Sequence, residues 1–233
     1  MKITTPIAML AALLALAAWT GRAGAAEGER NNSLRLGMYF IHYQASADDL
    51  SGPFVPAGAN LDVRDTQTPY FAYVRRLSRE FELEFAAGLP PTTETVGRGP
   101  ATLGSVPFNN QVIATAKWFS PTLLVNYKFS EGSSGWNPYV GVGINYTHFF
   151  DRKSTAAGDA VGGGPTTLSL SNSVGPAATI GASYYLQDNW NMYLSYSVSR
   201  VKSKLEANTS GTVRSTTINF NPSALVLSFG YSF

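Results

Sequence analysis

The chain has 233 residues, 44% hydrophobic and 12% aromatic, with 17 basic residues against 15 acidic and no cysteine. The lack of cysteine excludes disulfides and thiolate metal sites, and a formal net charge of +2 without a basic patch excludes a nucleic-acid surface. Beyond Trp19 no apolar run approaches the ~20 residues of a membrane helix, so any crossing of a bilayer has to use strands.

The N-terminus predicts a secretory signal peptide over residues 1–25. Lys2 gives a positive start, Ile7 to Trp19 is mostly apolar, and Ala23-Gly24-Ala25 is a small-residue cleavage site, with Ala26 as the alternative end. Its removal takes Lys2 and Arg22 and no acid, so 15 basic residues then face 15 acidic ones and the mature chain is neutral. Residues 26–233 are long enough for one all-β domain.

Alternation of period two, which places successive side chains on opposite faces, recurs eight times along that domain. The first strand is predicted over Leu34 to Tyr43, with Leu34, Leu36, Met38 and Phe40 opposed to Arg35, Gly37, Tyr39 and Ile41. The second, Thr66 to Arg76, suits either phase. The third, Phe81 to Leu89, opposes Phe81, Leu83 and Phe85 to Glu80, Glu82 and Glu84. Lys117 to Phe129, Asn137 to Phe150 and Ser171 to Leu186 follow. The seventh, Trp190 to Leu205, sets Leu194, Tyr196 and Val198 against Ser195, Ser197 and Ser199. The eighth, Ser223 to Phe233, puts Leu225, Leu227, Phe229, Tyr231 and Phe233 on one face and Ala224, Val226 and Ser228 on the other.

Short links at 77–79, 130–136 and 187–189 alternate with long ones at 45–65, 92–116, 151–170 and 206–215. Eight strands, short turns at one end and long loops at the other predict an eight-stranded antiparallel up-and-down transmembrane β-barrel, with short periplasmic turns and four long extracellular loops. The run Gly162-Gly163-Gly164-Pro165 predicts a flexible loop. Aromatics fall in two bands: Tyr127, Phe129, Trp136, Tyr139, Tyr184, Trp190, Tyr231 and Phe233 beside the short turns, and Trp118, Phe119, Tyr146, Phe149, Phe150 and Phe220 toward the long loops. Two such bands match the interfacial girdles of a membrane barrel.

Several stretches resemble the OmpW family of small outer-membrane barrels. They are Pro121-Thr122-Leu123-Leu124, the run Asn137-Pro138-Tyr139-Val140-Gly141 to Thr147 with Phe149-Phe150-Asp151, Leu168-Ser169-Leu170, and the closing Asn221-Pro222 with Phe229-Gly230-Tyr231-Ser232-Phe233. The resemblance implies location in the bacterial outer membrane and a narrow, mostly apolar channel for passive uptake of small hydrophobic molecules, with possible sideways exit. It also implies that the last strand, through Leu225, Leu227, Phe229, Tyr231 and Phe233, is read by the barrel-assembly machinery.

Placing Glu80, Glu82 and Glu84 against lipid would cost up to a few kcal/mol each, so all three are expected to point inward. Clustered carboxylates need cations, and Arg35, Arg76 and Lys128 have inward phase near the same end. The expectation is an ion-pair network of these six residues near the periplasmic end, filling the lumen as a charged plug rather than relaying protons. Above it, Ile41, Leu124 and Val226 form an apolar upper lumen. No cofactor or metal is expected. His42 and His148 have outward phase on strands across the barrel from each other, which argues against an enzyme. Outer-membrane lipid and small hydrophobic solutes are the expected partners. The alternative is a receptor or adhesion protein whose loops, with Phe54 and Phe108 as anchors, do the work; a soluble lipocalin-like barrel is opposed by the aromatic bands.

Overall fold

The computed structural model describes residues 31–233 except 131–134 and 188, so the expected signal peptide and most of the 130–136 link lie outside the described residues. In chain order the strands begin with β1 (Asn32–Tyr43), β2 (Ser46–Ala47), β3 (Asn60–Val63), β4 (Thr66–Arg76) and β5 (Phe81–Gly88). Then come β6 (Thr92–Arg98), β7 (Thr102–Leu103), β8 (Val106–Pro107), β9 (Val112–Phe119), β10 (Thr122–Lys128) and β11 (Trp136–Ser154). A helix α1 (Ala156–Gly162) precedes β12 (Thr166–Leu170), β13 (Ser173–Gln187) and β14 (Trp190–Ser199). The chain ends with β15 (Lys202–Thr209), β16 (Thr212–Asn219) and β17 (Pro222–Ser232).

Eight of these strands pair antiparallel in a ring, β1–β4–β5–β10–β11–β13–β14–β17 and back to β1. Closure leaves no edge, which is the condition for a sheet to stand in hydrocarbon. The faces follow the alternation. On β17, Leu225, Leu227, Phe229 and Tyr231 are exposed while Val226 and Ser228 are buried. Leu227 lies opposite Met38 on one neighbour and Leu194 on the other, an apolar belt at mid-height.

Two of the expected strands are interrupted. The predicted Lys117 to Phe129 strand divides at Ser120-Pro121 into β9 and β10, because Pro121 lacks an amide donor for the ladder. The predicted Trp190 to Leu205 strand divides at Arg200-Val201, where the Arg200 amide donates to the Pro176 carbonyl at 3.0 Å.

The long extracellular loops are largely strand. β11 runs on for 19 residues and carries β9, β6 and β3 as a sheet continuous with the barrel wall. A second sheet, β12–β15–β16–β2, contains a tight hairpin at Ser210-Gly211, both in the left-handed region that a two-residue turn requires. Beneath these sheets Leu61, Val63, Val201, Leu205, Ile218 and others form an apolar core. Phe108 belongs to it, fully buried, whereas Phe54 is 91% exposed.

The glycine run differs from the expected flexible loop. It ends α1: Gly163 takes the left-handed conformation, and the Gly163 and Gly164 amides donate to Asp159 at 3.0 and 2.8 Å. Thr155 caps the other end by accepting from the Gly158 amide.

The aromatic bands also need revision. The lower one is a belt of ring pairs, exposed except for the half-buried Tyr184: Phe81–Tyr127, Tyr127–Phe129, Trp136–Tyr184 and Trp190–Tyr231, with centroids 5.1–5.4 Å apart. Tyr139 does not belong to it, being buried inside the barrel. In the upper band, Phe149 and Phe220 are also buried, stacked at 5.2 Å as a roof over the lumen.

Leu227→Arg at the centre of the lipid belt is expected to lower the unfolding free energy in lipid vesicles by about 2–4 kcal/mol. Urea titration followed by tryptophan fluorescence measures it; an unchanged midpoint would contradict the lipid-facing assignment.

Candidate functional site

Arg35, on the inward face of β1, lies across from Ala72 of β4, which lies across from Ala86 of β5. Two small side chains leave the guanidinium room to cross the neighbouring strand. Its Nη1 donates to Glu84 Oε2 at 3.0 Å and its Nη2 to Glu82 Oε2 at 3.1 Å. Lys128 Nζ reaches Glu82 Oε1 at 3.2 Å. Glu84 also accepts from the Tyr70 hydroxyl at 2.9 Å and from Asn126 Nδ2 at 2.7 Å. Two cations and two carboxylates therefore form a neutral, hydrogen-bonded layer, a condition for keeping such charges out of water.

Aromatic rings complete the layer. The Arg35 guanidinium carbon lies 3.8 Å from the Tyr193 ring centroid and 5.9 Å from that of Tyr139. Glycines on the inward face make space for these groups. A Cβ on Gly230 would stand 2.7 Å from the Tyr193 ring, and one on Gly181 2.7 Å from the Tyr139 ring; one on Gly141 would collide with Asn126.

The other two members of the predicted network stand at the turn-proximal ends of their strands, Arg76 directly across from Glu82 in the β4–β5 register. Arg76 ends β4, with Nε donating to the Ser78 carbonyl at 3.2 Å, and Glu80 precedes β5, exposed and accepting from the Ser78 hydroxyl. Glu80 shares the phase of Glu82 but lies before the strand, so it is at the water-facing rim rather than in the layer.

Tyr193, Tyr70 and Asn126 carry the layer without a sequence signal of their own, and Tyr139, expected in the lower aromatic band, joins them. Tyrosine and asparagine suit an inward or a rim position equally, so residue type alone gave no sign. The signal available was phase: Tyr193 shares its face with Ser195 and Ser197, and Tyr139 with Gly141 and Gly143.

Above the layer a cavity of about 100 Å³ runs up to the Phe149–Phe220 roof. Ile41, Leu124 and Val226 are buried and line it, and Leu124 pairs directly with Glu84, so the apolar wall begins at the charged floor. Serines 195 and 197 and several threonines give the wall a minor polar part.

Beside this cavity the ladder has a gap. β5 and β10 pair up to Ala86–Thr122, and pairing resumes between β6 and β9 at Thr92–Lys117. The intervening segments contain Pro90, Pro91 and Pro121, which carry no amide hydrogen. Three of the groups here are served elsewhere: the Leu89 amide donates to the Pro69 carbonyl at 3.0 Å, the Leu89 carbonyl accepts from the Thr68 hydroxyl at 2.6 Å, and the Pro121 carbonyl accepts from the Tyr146 amide at 3.0 Å.

The two histidines stand at the outer rim. His42 Nδ1 lies 2.7 Å from Asp65, which also accepts from the Tyr43 amide at 3.0 Å; His148 Nδ1 lies 2.9 Å from Asn172. Slight burial opposes ionisation of Asp65, but the bonds from His42 and the Tyr43 amide outweigh it and hold the carboxyl below its usual range. No group of three or more His, Asp or Glu among the described residues could hold a metal ion.

The profile of the OmpW family matches residues 35–233, the whole described barrel from Arg35 onward. The chain belongs to the OmpW family. It is 34% identical to Outer membrane protein W of Vibrio cholerae over 121 residues, 52% of this chain and 55% of that protein. Another OmpW relative, the dibenzothiophene metabolism operon protein PahQ of Pseudomonas aeruginosa, is 29% identical over 51% of this chain and 53% of its own. These matches span about half the length of each relative. The crystal structure of OprG from Pseudomonas aeruginosa superposes with a TM-score of 0.78 at 22% identity, covering 87% of this chain and 95% of that one. Outer membrane protein AlkL, solved in DMPC bilayers, gives 0.63 at 18% identity, covering 91% and 95%. The fold is thus that of an OmpW-type outer-membrane barrel, and the protein resides in the outer membrane.

Arg35→Met is expected to destabilise the barrel by about 3–5 kcal/mol, since it leaves the buried Glu84 without its cation. Denaturant unfolding in vesicles measures this; a loss below that of the exposed Arg79→Met would remove Arg35 from its central place. A pH test concerns Asp65. Because its carboxyl is lowered in the folded state, the contribution is present above the ordinary carboxylate value near pH 4 and lost as pH falls through the lowered one. Amide exchange at Tyr43 should therefore accelerate only below about pH 4, and Asp65→Asn should abolish that step.

Proposed function

We propose that this barrel admits small hydrophobic molecules passively from the outer face and releases them sideways into the bilayer above a charged plug. The observation that carries this is the position of an apolar cavity directly over the Arg35–Glu82–Glu84–Lys128 layer and beside the proline-bordered gap. Straight passage would take a greasy molecule through bonded charges, whose polar groups would lose their partners or their water. Passage through the gap meets three prolines without amide hydrogens and Leu89 and Pro121 carbonyls that are already bonded.

The name of the PahQ relative supports the solute class, since dibenzothiophene is a flat, three-ring, nearly apolar molecule. The same proposal takes residues 1–25 as a removable export signal. It takes the exposed face Leu225, Leu227, Phe229, Tyr231 and Phe233 as the strand presented to the assembly machinery.

Glu82→Ala combined with Glu84→Ala should raise single-channel ion conductance in a planar bilayer several-fold while leaving the uptake of naphthalene into vesicles near the original rate. Ser120→Trp, at the edge of the gap, should cut naphthalene uptake by more than half without changing conductance. Unchanged conductance in the first variant would remove the plug, and unchanged uptake in the second would remove the lateral route.

A further inference from the structure

The outward phase of β14 continues past its end. Leu194, Tyr196 and Val198 face lipid, and Arg200, Lys202 and Lys204 follow at the same two-residue spacing, all exposed, while Val201, Ser203 and Leu205 are buried. The apolar belt is thus succeeded, in the same outward phase across the break at Arg200-Val201, by three exposed cations. They follow directly on the lipid-facing residues, where a membrane barrel passes from its apolar band toward the headgroups.

These cations differ from the other paired cations of the extracellular sheets. Arg64 is held by Glu94 at 2.6 Å, Arg98 by Asp62 at 2.8 Å, and Lys117 and Lys153 share Asp151 at 3.4 and 2.8 Å. On the β14–β15 line only Lys204 has an acid, Glu206 at 2.8 Å. Among the described residues no carboxylate lies within 4.0 Å of Arg200 or Lys202. The residues opposite are Asn219 beside Lys202 and Thr217 beside Lys204, both neutral hydrogen-bonding groups. Two of the three cations on this line therefore have no acid beside them among the described residues.

We infer that Arg200, Lys202 and Lys204 form a binding site for the phosphate groups of an anionic glycolipid of the outer leaflet, of the lipid A type. Two features fix the occupant. The line continues a lipid-facing strand, so a ligand reaching it is already anchored in the bilayer by its chains. The site is open outward and has no buried pocket to retain a free anion. Phosphates supply the missing negative charge, and their oxygens accept from guanidinium and ammonium donors.

The test uses the refolded barrel in zwitterionic detergent micelles, with thermal unfolding followed as lipid A is added. Bisphosphorylated lipid A should raise the midpoint by several degrees; dephosphorylated lipid A and inorganic phosphate should not. Arg200→Gln, Lys202→Gln and Lys204→Gln together should keep the ligand-free midpoint and lose most of the lipid A shift. Charge-preserving Arg200→Lys with Lys202→Arg should retain it, as should Lys117→Gln with Lys153→Gln. A full shift in the neutralised variant, an equal shift with inorganic phosphate, or an equal shift with dephosphorylated lipid would each overturn the proposal. If the neutralised triple variant does not refold, the single variants Arg200→Gln and Lys202→Gln decide by the same criteria.

Discussion

In a hydrocarbon layer an unpaired backbone amide has no water to bond, so the ladder of strands must close on itself. Here closure joins β10 to β11 on one side and β1 to β17 on the other, uniting the two ends of the domain. Once the ring is closed, each strand has one face in lipid and one in the lumen, and the rest follows from that division. Apolar side chains are free to cover the outside because lipid takes the place of a core. Polar ones are confined to the inside, where they have to satisfy one another.

Eight strands enclose little space, so satisfaction and packing are one problem. Glu82 and Glu84 cannot face lipid, and inside they need cations within reach. Arg35 reaches both only because Ala72 and Ala86 leave a lane across β4 and β5. The rings of Tyr193 and Tyr139 then cover the guanidinium, and those rings fit only because Gly230 and Gly181 have no side chain. The small residues that look like weak points in the strands are thus the space required by the large ones. The layer contributes specificity of packing more than net stability, since the cost of burying charges offsets much of their attraction.

This division explains what could be read from the sequence. Strand existence and face were legible wherever one face was strongly apolar, as in Ser223 to Phe233, or forbidden to lipid, as in Glu82 and Glu84. The inward phase of Arg35 and Lys128 followed from the same rule. Bulky tyrosines escaped it: Tyr139 passes equally for a girdle residue, and only its partnership with Gly181 and Arg35 sets it inside. Outside the membrane the rule loses force, because water accepts either face. That is why the segments 92–116 and 206–215 look like loops in the sequence yet form paired strands, and why Gly163-Gly164 looks flexible yet caps a helix.

Above Ala86–Thr122 the pairing of β5 with β10 stops, and the construction of this gap limits what it costs. Prolines remove three donors, Thr68 and Tyr146 satisfy two carbonyls, and the ladder is mended above by β6 and β9. The opening is therefore a window with a bonded frame rather than a split wall. Its position relative to the charged layer matters more than its size. Leu124, paired with Glu84, is two residues from Thr122, where the ladder stops, so floor and window lie within one lumenal side-chain step. In the proposed function, a hydrophobic molecule on that floor would meet bonded charges below and, to the side, a gap whose Leu89 and Pro121 carbonyls already accept bonds from Thr68 and Tyr146. Moving down separates ion pairs in a medium of low dielectric, a cost of several kcal/mol; moving sideways exchanges one apolar surrounding for another. On the proposed route, the same carboxylates that had to be turned away from lipid would favour lipid as the destination for a solute entering above them.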